Sequence, residues 1–360
     1  MNDIVKQLGK TSRTALLSLC LAGLLAGVAS GATGTIKTKP TATKPASTKP
    51  AAAKPAPTKP AAKPAPTTAA RPAQNKDPLE TYTSLIVTPE WVKANLGRVV
   101  LVDARAASLY KGQQGHLPGA VNAEWTYFAN MNGSAGSPKW GTVLAADALA
   151  RRIGALGIDG RKEVVVYGDG GDWGNSAWVV WILRMTGFRN ARFMDGGFTA
   201  YRAAGGKTSN RAHANKAVAY PYRSIDPGYI VSTEWLKENL NKPEVRIVDV
   251  RSAKEYSGEI RPFGERRPGH IPGAVNFPMD RVFTPDFKIQ PEQALQELIA
   301  SAGFTDKNQT IVLYDTAGVR SAFMTMIFRL AGFKNARNYD ASYHAWCGNP
   351  DLEIRQGSTP

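Results

Sequence analysis

The chain has 360 residues, too many for one ordinary domain and suited to two. Its formal charge is +16, but twelve Lys or Arg against one acid, Asp3, put +11 of that in residues 1–76 and leave +5 for the remainder. No aromatic residue interleaves this basic tail, so nucleic-acid binding is not expected.

Residues 1–32 read as a signal peptide. Lys6, Lys10 and Arg13 form a basic start, Ala15 to Ala29 is apolar, and Ala29-Ser30-Gly31-Ala32 offers small residues for cleavage. The apolar run is shorter than the roughly twenty residues of a membrane span. Export is therefore expected, to the periplasm or cell envelope, with a signal anchor as the alternative. Cys20 follows Leu19, where a lipobox needs a small residue, and should leave with the signal. Cys347 is then the lone thiol, and no intrachain disulfide is expected.

Residues 33–78 repeat Lys-Pro six times among Ala and Thr. With nothing to bury, they are predicted to form a disordered spacer reaching on the order of 100 Å. An anionic envelope polymer or lipid would suit its charge as a partner.

Beyond the spacer the chain repeats itself. Thr88-Pro89-Glu90-Trp91 answers Ser232-Thr233-Glu234-Trp235, each reading as a capped helix start. Val99 to Asp103 answers Val245 to Asp249, and Val164 to Tyr167 answers Thr310 to Tyr314, as short β-rich runs. Gly115-His116-Leu117-Pro118-Gly119-Ala120 answers Gly269-His270-Ile271-Pro272-Gly273-Ala274. Strand-like runs alternate with helical patterns such as Leu149, Ile153 and Leu156, which points to α/β domains with mainly parallel sheets. The predicted boundaries are 79–207 for the first domain, 208–227 for a linker and 228–355 for the second domain.

These residues, with Val-Asp-Ala-Arg at 102–105, Val-Asp-Val-Arg at 248–251, Asp195-Gly196-Gly197-Phe198 and the segment Tyr339 to Trp346, resemble the tandem rhodanese family of thiosulfate and mercaptopyruvate sulfurtransferases. The resemblance implies two tandem rhodanese-like domains, each a mainly parallel five-stranded sheet flanked by helices, with sulfur transfer as the family activity and no cofactor. It also implies a catalytic loop of the form Cys-x-x-Gly-x-Arg after a strand of the second copy. The matching stretch here is Asp315-Thr316-Ala317-Gly318-Val319-Arg320. Gly318 and Arg320 are kept, but Asp315 stands at the nucleophile's place. A carboxylate forms no stable acyl persulfide, and an anion held in that loop would repel thiosulfate. In the first copy the stretch is Gly168 to Ser176, without Cys, and a flexible or interdomain loop is expected there.

Three readings follow. One is a pseudo-enzyme or small-anion binder, its anion site formed by residues 316–320, namely Thr316, Ala317, Gly318, Val319 and Arg320, with Arg189 reaching across from the first domain as the resemblance implies. Another is an active sulfurtransferase that uses Cys347 as its sulfur carrier. A weaker one is phosphatase-like chemistry at Asp315. Asp103 with Arg105, Asp249 with Arg251, and the histidines 116 and 270 are expected to be structural. No metal-ligand spacing is present in the sequence, and a monomer that binds a small sulfur-containing or other anion is expected.

Overall fold

A computed structural model describes residues 80–172, 174–222 and 224–360. The expected signal peptide and spacer, with Cys20, lie outside the described residues.

The first domain runs α1 (Tyr82–Leu85), β1 (Ile86–Val87), α2 (Pro89–Ala94), β2 (Val100–Asp103), α3 (Ala107–Tyr110), β3 (Val121–Asn122), α4 (Ala146–Ala155), β4 (Val164–Tyr167), α5 (Asn175–Met185), β5 (Ala191–Met194) and α6 (Gly197–Ala203). The second repeats the pattern from its first strand: β6 (Ile230–Val231), α7 (Thr233–Asn239), β7 (Val245–Asp249), α8 (Ala253–Ser257), β8 (Ala274–Asn276), α9 (Glu292–Ser301), β9 (Thr310–Tyr314), α10 (Val319–Leu330), β10 (Ala336–Tyr339) and α11 (Ser342–Gly348). The repeated helix starts form as read, with Thr88 Oγ1 accepting the Trp91 N–H and Ser232 Oγ the Trp235 N–H, each at 3.2 Å.

Each domain has one five-stranded sheet, ordered β1-β5-β4-β2-β3 and β6-β10-β9-β7-β8, and every strand pair is parallel. Central strands of such sheets are covered on both faces, which is why β4 reads Val-Val-Val-Tyr and is buried throughout. Register places Asp103 beside Tyr167 and Asp249 beside Tyr314 at the C-terminal ends of the strands. There each aspartate pairs with the arginine two residues on, Arg105 or Arg251, which also donates to the Gly115 or Gly269 carbonyl. His116 and His270 stack on Tyr110 and Tyr256 and bond to their carbonyls, so both pairs and both histidines brace turns.

The two domains share a core built on α5 and α10. All twelve residues of α10 are buried, as is every residue of α5 after Asn175. A helix buried along its whole length must be enclosed on every side, and here each helix lies between its own sheet and the other domain. Phe323 of α10 meets Phe193 of β5 edge-on at 6.1 Å and stacks on Phe283 at 5.4 Å. The segment 208–227 crosses the surface of the first domain as a strap. The Val218 N–H bonds to Gly154, Asn215 to Leu156, the Tyr220 hydroxyl to Thr186, and the Asp226 N–H to Met185.

Candidate functional site

In a parallel α/β sheet, ligands bind beyond the C-terminal ends of the strands. The segment between β9 and α10 sits at that edge of the second sheet. It turns sharply, with Gly318 at φ +87° as the N-cap of α10. A side chain there would be strained and would strike the Asp340 carbonyl, so the position requires glycine.

The turn folds around the Asp315 carboxylate, which is 3% exposed. The Gly318 N–H donates to Oδ1 at 2.7 Å, the Ser321 hydroxyl to the same oxygen at 2.9 Å, and Arg320 Nε to Oδ2 at 3.2 Å. Burial favours the neutral acid, but Arg320, Ser321 and the Ala317 N–H outweigh it and hold Asp315 below its ordinary range, hence ionised.

Arg320 is fully engaged. Besides Asp315 it holds Glu255 of α8 through both Nη atoms, at 2.9 and 3.2 Å, and donates to Thr316 Oγ1 at 2.8 Å. Glu255 is kept low by Arg320, which overcomes burial. Thr316 donates in turn to Glu265 at 3.2 Å. Two carboxylates, Asp315 and Glu255, thus contact a single guanidinium, and a third, Glu265, is bonded to the Thr316 hydroxyl beside it. This charge balance is opposite to that of an anion-receiving pocket.

Helix α11 closes one side, with the Tyr343 N–H bonded to the Asp315 carbonyl and the His344 N–H to that of Thr316. A roof comes from the first domain. Residues 128–144 double back, with the Asn130 N–H bonded to Thr142 and the Leu144 N–H to Phe128. From this arm the Val143 N–H donates to Asp340 Oδ2 at 2.8 Å, and Trp140 stands edge-on to His344 at 5.3 Å. Asp340 Oδ1 and His344 Nδ1 are buried, with no hydrogen-bond partner among the described residues. Glu255, Glu265, Asp340 and the arm were not singled out from the sequence. Only Glu255 left a local signal, as the glutamate that closes a Ser252-x-x-Glu capping box.

The rhodanese-like domain family matches residues 88–204 and again 232–349. The chain belongs to that family. It is similar to the thiosulfate sulfurtransferase of Corynebacterium glutamicum, at 29% identity over 283 residues that cover 76% of this chain and 90% of that protein. It is also similar to the sulfur carrier protein TtuD of Thermus thermophilus, at 28% over 292 residues, covering 77% and 98%. Among solved structures it resembles the anaerobic ergothioneine biosynthesis enzyme of Chlorobium limicola. The TM-score is 0.68 at 22% identity, covering 79% of this chain and 72% of that one, a likeness of fold.

Of the remaining candidates, Cys347 lies on α11 and Arg189 between α5 and β5 of the first rhodanese domain. Cys347 is 2% exposed, packs with Tyr339, Tyr343 and Trp346, and donates weakly to the His344 carbonyl at 3.7 Å. Burial pushes its thiol up. Arg189 is not brought to Arg320. It donates to the Tyr229 hydroxyl at 2.6 Å, and Tyr229 donates to Glu80 at 3.1 Å. Tyr229 precedes β6, towards the N-terminal edge of the second sheet, whereas the 315–320 turn leaves the C-terminal edge. The expected joint anion site of Arg189 and Arg320 is therefore not formed.

In the first rhodanese domain the equivalent turn is longer, and Asp172 takes the Gly174 and Ser176 N–H groups at 3.1 and 3.2 Å. A carboxylate thus sits at the helix N-terminus in both copies. Phe287, at φ +60°, packs against Gly171 from the second domain, which makes this an interdomain loop. The cavity it closes, about 30 Å³ between Asp195, Phe283 and Phe323, has no room for a substrate.

Proposed function

We propose that this protein is an exported tandem rhodanese-homology protein that does not use cysteine-persulfide catalysis, a pseudo-enzyme whose second loop is filled by its own carboxylate. Asp315 stands where the family's sulfur-carrying cysteine is expected. The observation that carries the reading is the set of donors around it. The Gly318 N–H, the Ser321 hydroxyl and Arg320 are the groups that would receive a substrate anion, and all three are already engaged, each with Asp315 and the latter two also with Asn338 and Glu255. The anion-binding half of the expectation is weakened by the same contacts.

Sulfur carriage by Cys347 draws little support, because transfer requires a thiolate and burial keeps this thiol protonated. The retained role is binding or architecture, with the Lys-Pro segment as a tether. An assay for thiocyanate from thiosulfate and cyanide, with the intact mass recorded after thiosulfate treatment, tests the reading. No turnover and no added sulfur are expected, and sustained turnover would refute it. Export is tested by N-terminal sequencing of the protein from the envelope fraction. A start near Thr33 is expected, whereas an intact Met1 would favour an anchor.

A further inference from the structure

The connection from α8 to β8 runs beside the Asp315 turn and is fixed there from two sides. Arg267 donates to the Cys347, Trp346 and Asn349 carbonyls at the end of α11, at 2.9, 3.2 and 2.6 Å. Glu265, buried, takes the Phe263 N–H on one oxygen and the Thr316 hydroxyl on the other, each at 3.2 Å. Thr316 belongs to the turn and is itself held by Arg320, whose guanidinium also lies 5.6 Å from the centre of the Phe263 ring. The charge cluster around Asp315 therefore braces this loop.

The braced loop turns apolar and basic side chains outward. Ile260 and Phe263 are each 41% exposed, and Arg261 and Arg266 are exposed beside them. Arg261 donates to the Glu265 and Arg266 carbonyls, which are neutral, so its charge is not offset. The exposed acid of the loop, Glu259, is paired with Lys254 at 2.7 Å. We propose that this loop is a docking surface for an acidic protein segment that carries an apolar anchor, held in shape by the self-filled turn. The bracing role rests on the proposed occupation of that turn by its own carboxylate.

Charge selects the occupant. Residues 33–76 of this chain are basic and contain no acid, and a second copy would bring the same arginines against themselves. An acidic segment meets both arginines with opposite charge. A bilayer makes no demand on fixed side-chain positions, whereas Pro262, Glu265 and Arg267 fix this loop before anything binds. Such preorganisation lowers the ordering cost of a shaped partner, and aromatic and arginine side chains are the usual anchors of protein interfaces.

Selection of a random peptide library on the full-length protein tests this. The enriched peptides should place acids around an apolar residue and should bind more weakly as salt rises. Arg261→Glu with Phe263→Ser, both at exposed positions, should leave the urea midpoint unchanged and raise the peptide Kd about tenfold or more. Thr316→Val cuts the tie from the turn to Glu265, and should weaken binding severalfold and speed hydrogen exchange in residues 259–267. No enrichment, or peptides that bind the double variant as well as wild type, would overturn the docking surface. Vesicles of phosphatidylglycerol and phosphatidylcholine should not bind, and binding to them that is lost in the double variant would overturn the protein partner in favour of a membrane. Thiocyanate formation is read in parallel. Turnover would refute the self-filled turn, whereas failed selection without turnover refutes the docking surface alone.

Discussion

Arg320 binds Asp315 and Glu255 at once, with Nε on one carboxylate and both Nη atoms on the other. All three side chains are at most 5% exposed, so the arginine is the counter-charge for two buried anions. Removing it strands both.

Arg320→Met should therefore cost about 3–5 kcal/mol, the range for breaking a buried ion pair from one side. The sign with pH is fixed. Asp315 and Glu255 both titrate below their ordinary values in the folded protein, so their contribution is present above those values and is lost as the pH falls through the folded ones. Urea unfolding should show the defect of Arg320→Met in full at pH 7 and reduced at pH 4. An equal defect at both would mean that packing, not charge, is what the arginine supplies.

The N-terminal edge of the folded part should be sharp at Glu80. Its carboxylate is buried at the domain seam, paired with Arg184 and bonded by Tyr229. A chain starting at Asp77 should match the full-length urea midpoint, whereas one starting at Thr81 should lose about 3 kcal/mol by leaving Arg184 without that partner. Equal midpoints for the two would make the seam contact dispensable.

Much of this was legible in the sequence because it is written in local pattern. The Thr88 and Ser232 caps, the Asp-x-Arg braces and the glycine-rich turns each need only a few neighbouring residues, and the repeat doubles every signal. The Asp315 turn was found the same way. What surrounds it was not. Glu255, Glu265 and Val143 reach the turn across long stretches of chain, and nothing in their flanking residues marks a contact made by folding. Arg189 shows the converse hazard, since a plausible stretch of sequence placed it in a site from which sheet geometry separates it.

Cys347 should behave as a core residue. Native protein should react with a thiol reagent far more slowly than urea-unfolded protein, because the thiol is covered and its acidity is suppressed by burial. Mercaptopyruvate should add no sulfur to it. A fast native reaction together with a sulfur mass lost in Cys347→Ser would restore the carrier reading.

The most direct test compares wild type, Asp315→Ala and Asp315→Cys for thiocyanate formation and for sulfur bound after thiosulfate treatment. Wild type should form no thiocyanate above background. Asp315→Ala removes the carboxylate from the Gly318 N–H and Arg320 Nε, and should bind sulfate more tightly than wild type. Asp315→Cys puts a thiol at the start of α10, where the same donors should lower its pKa below the free value of about 8.5, and it should gain one sulfur per chain. Robust wild-type turnover that disappears in Asp315→Ala would contradict the self-filled loop and make the aspartate itself catalytic.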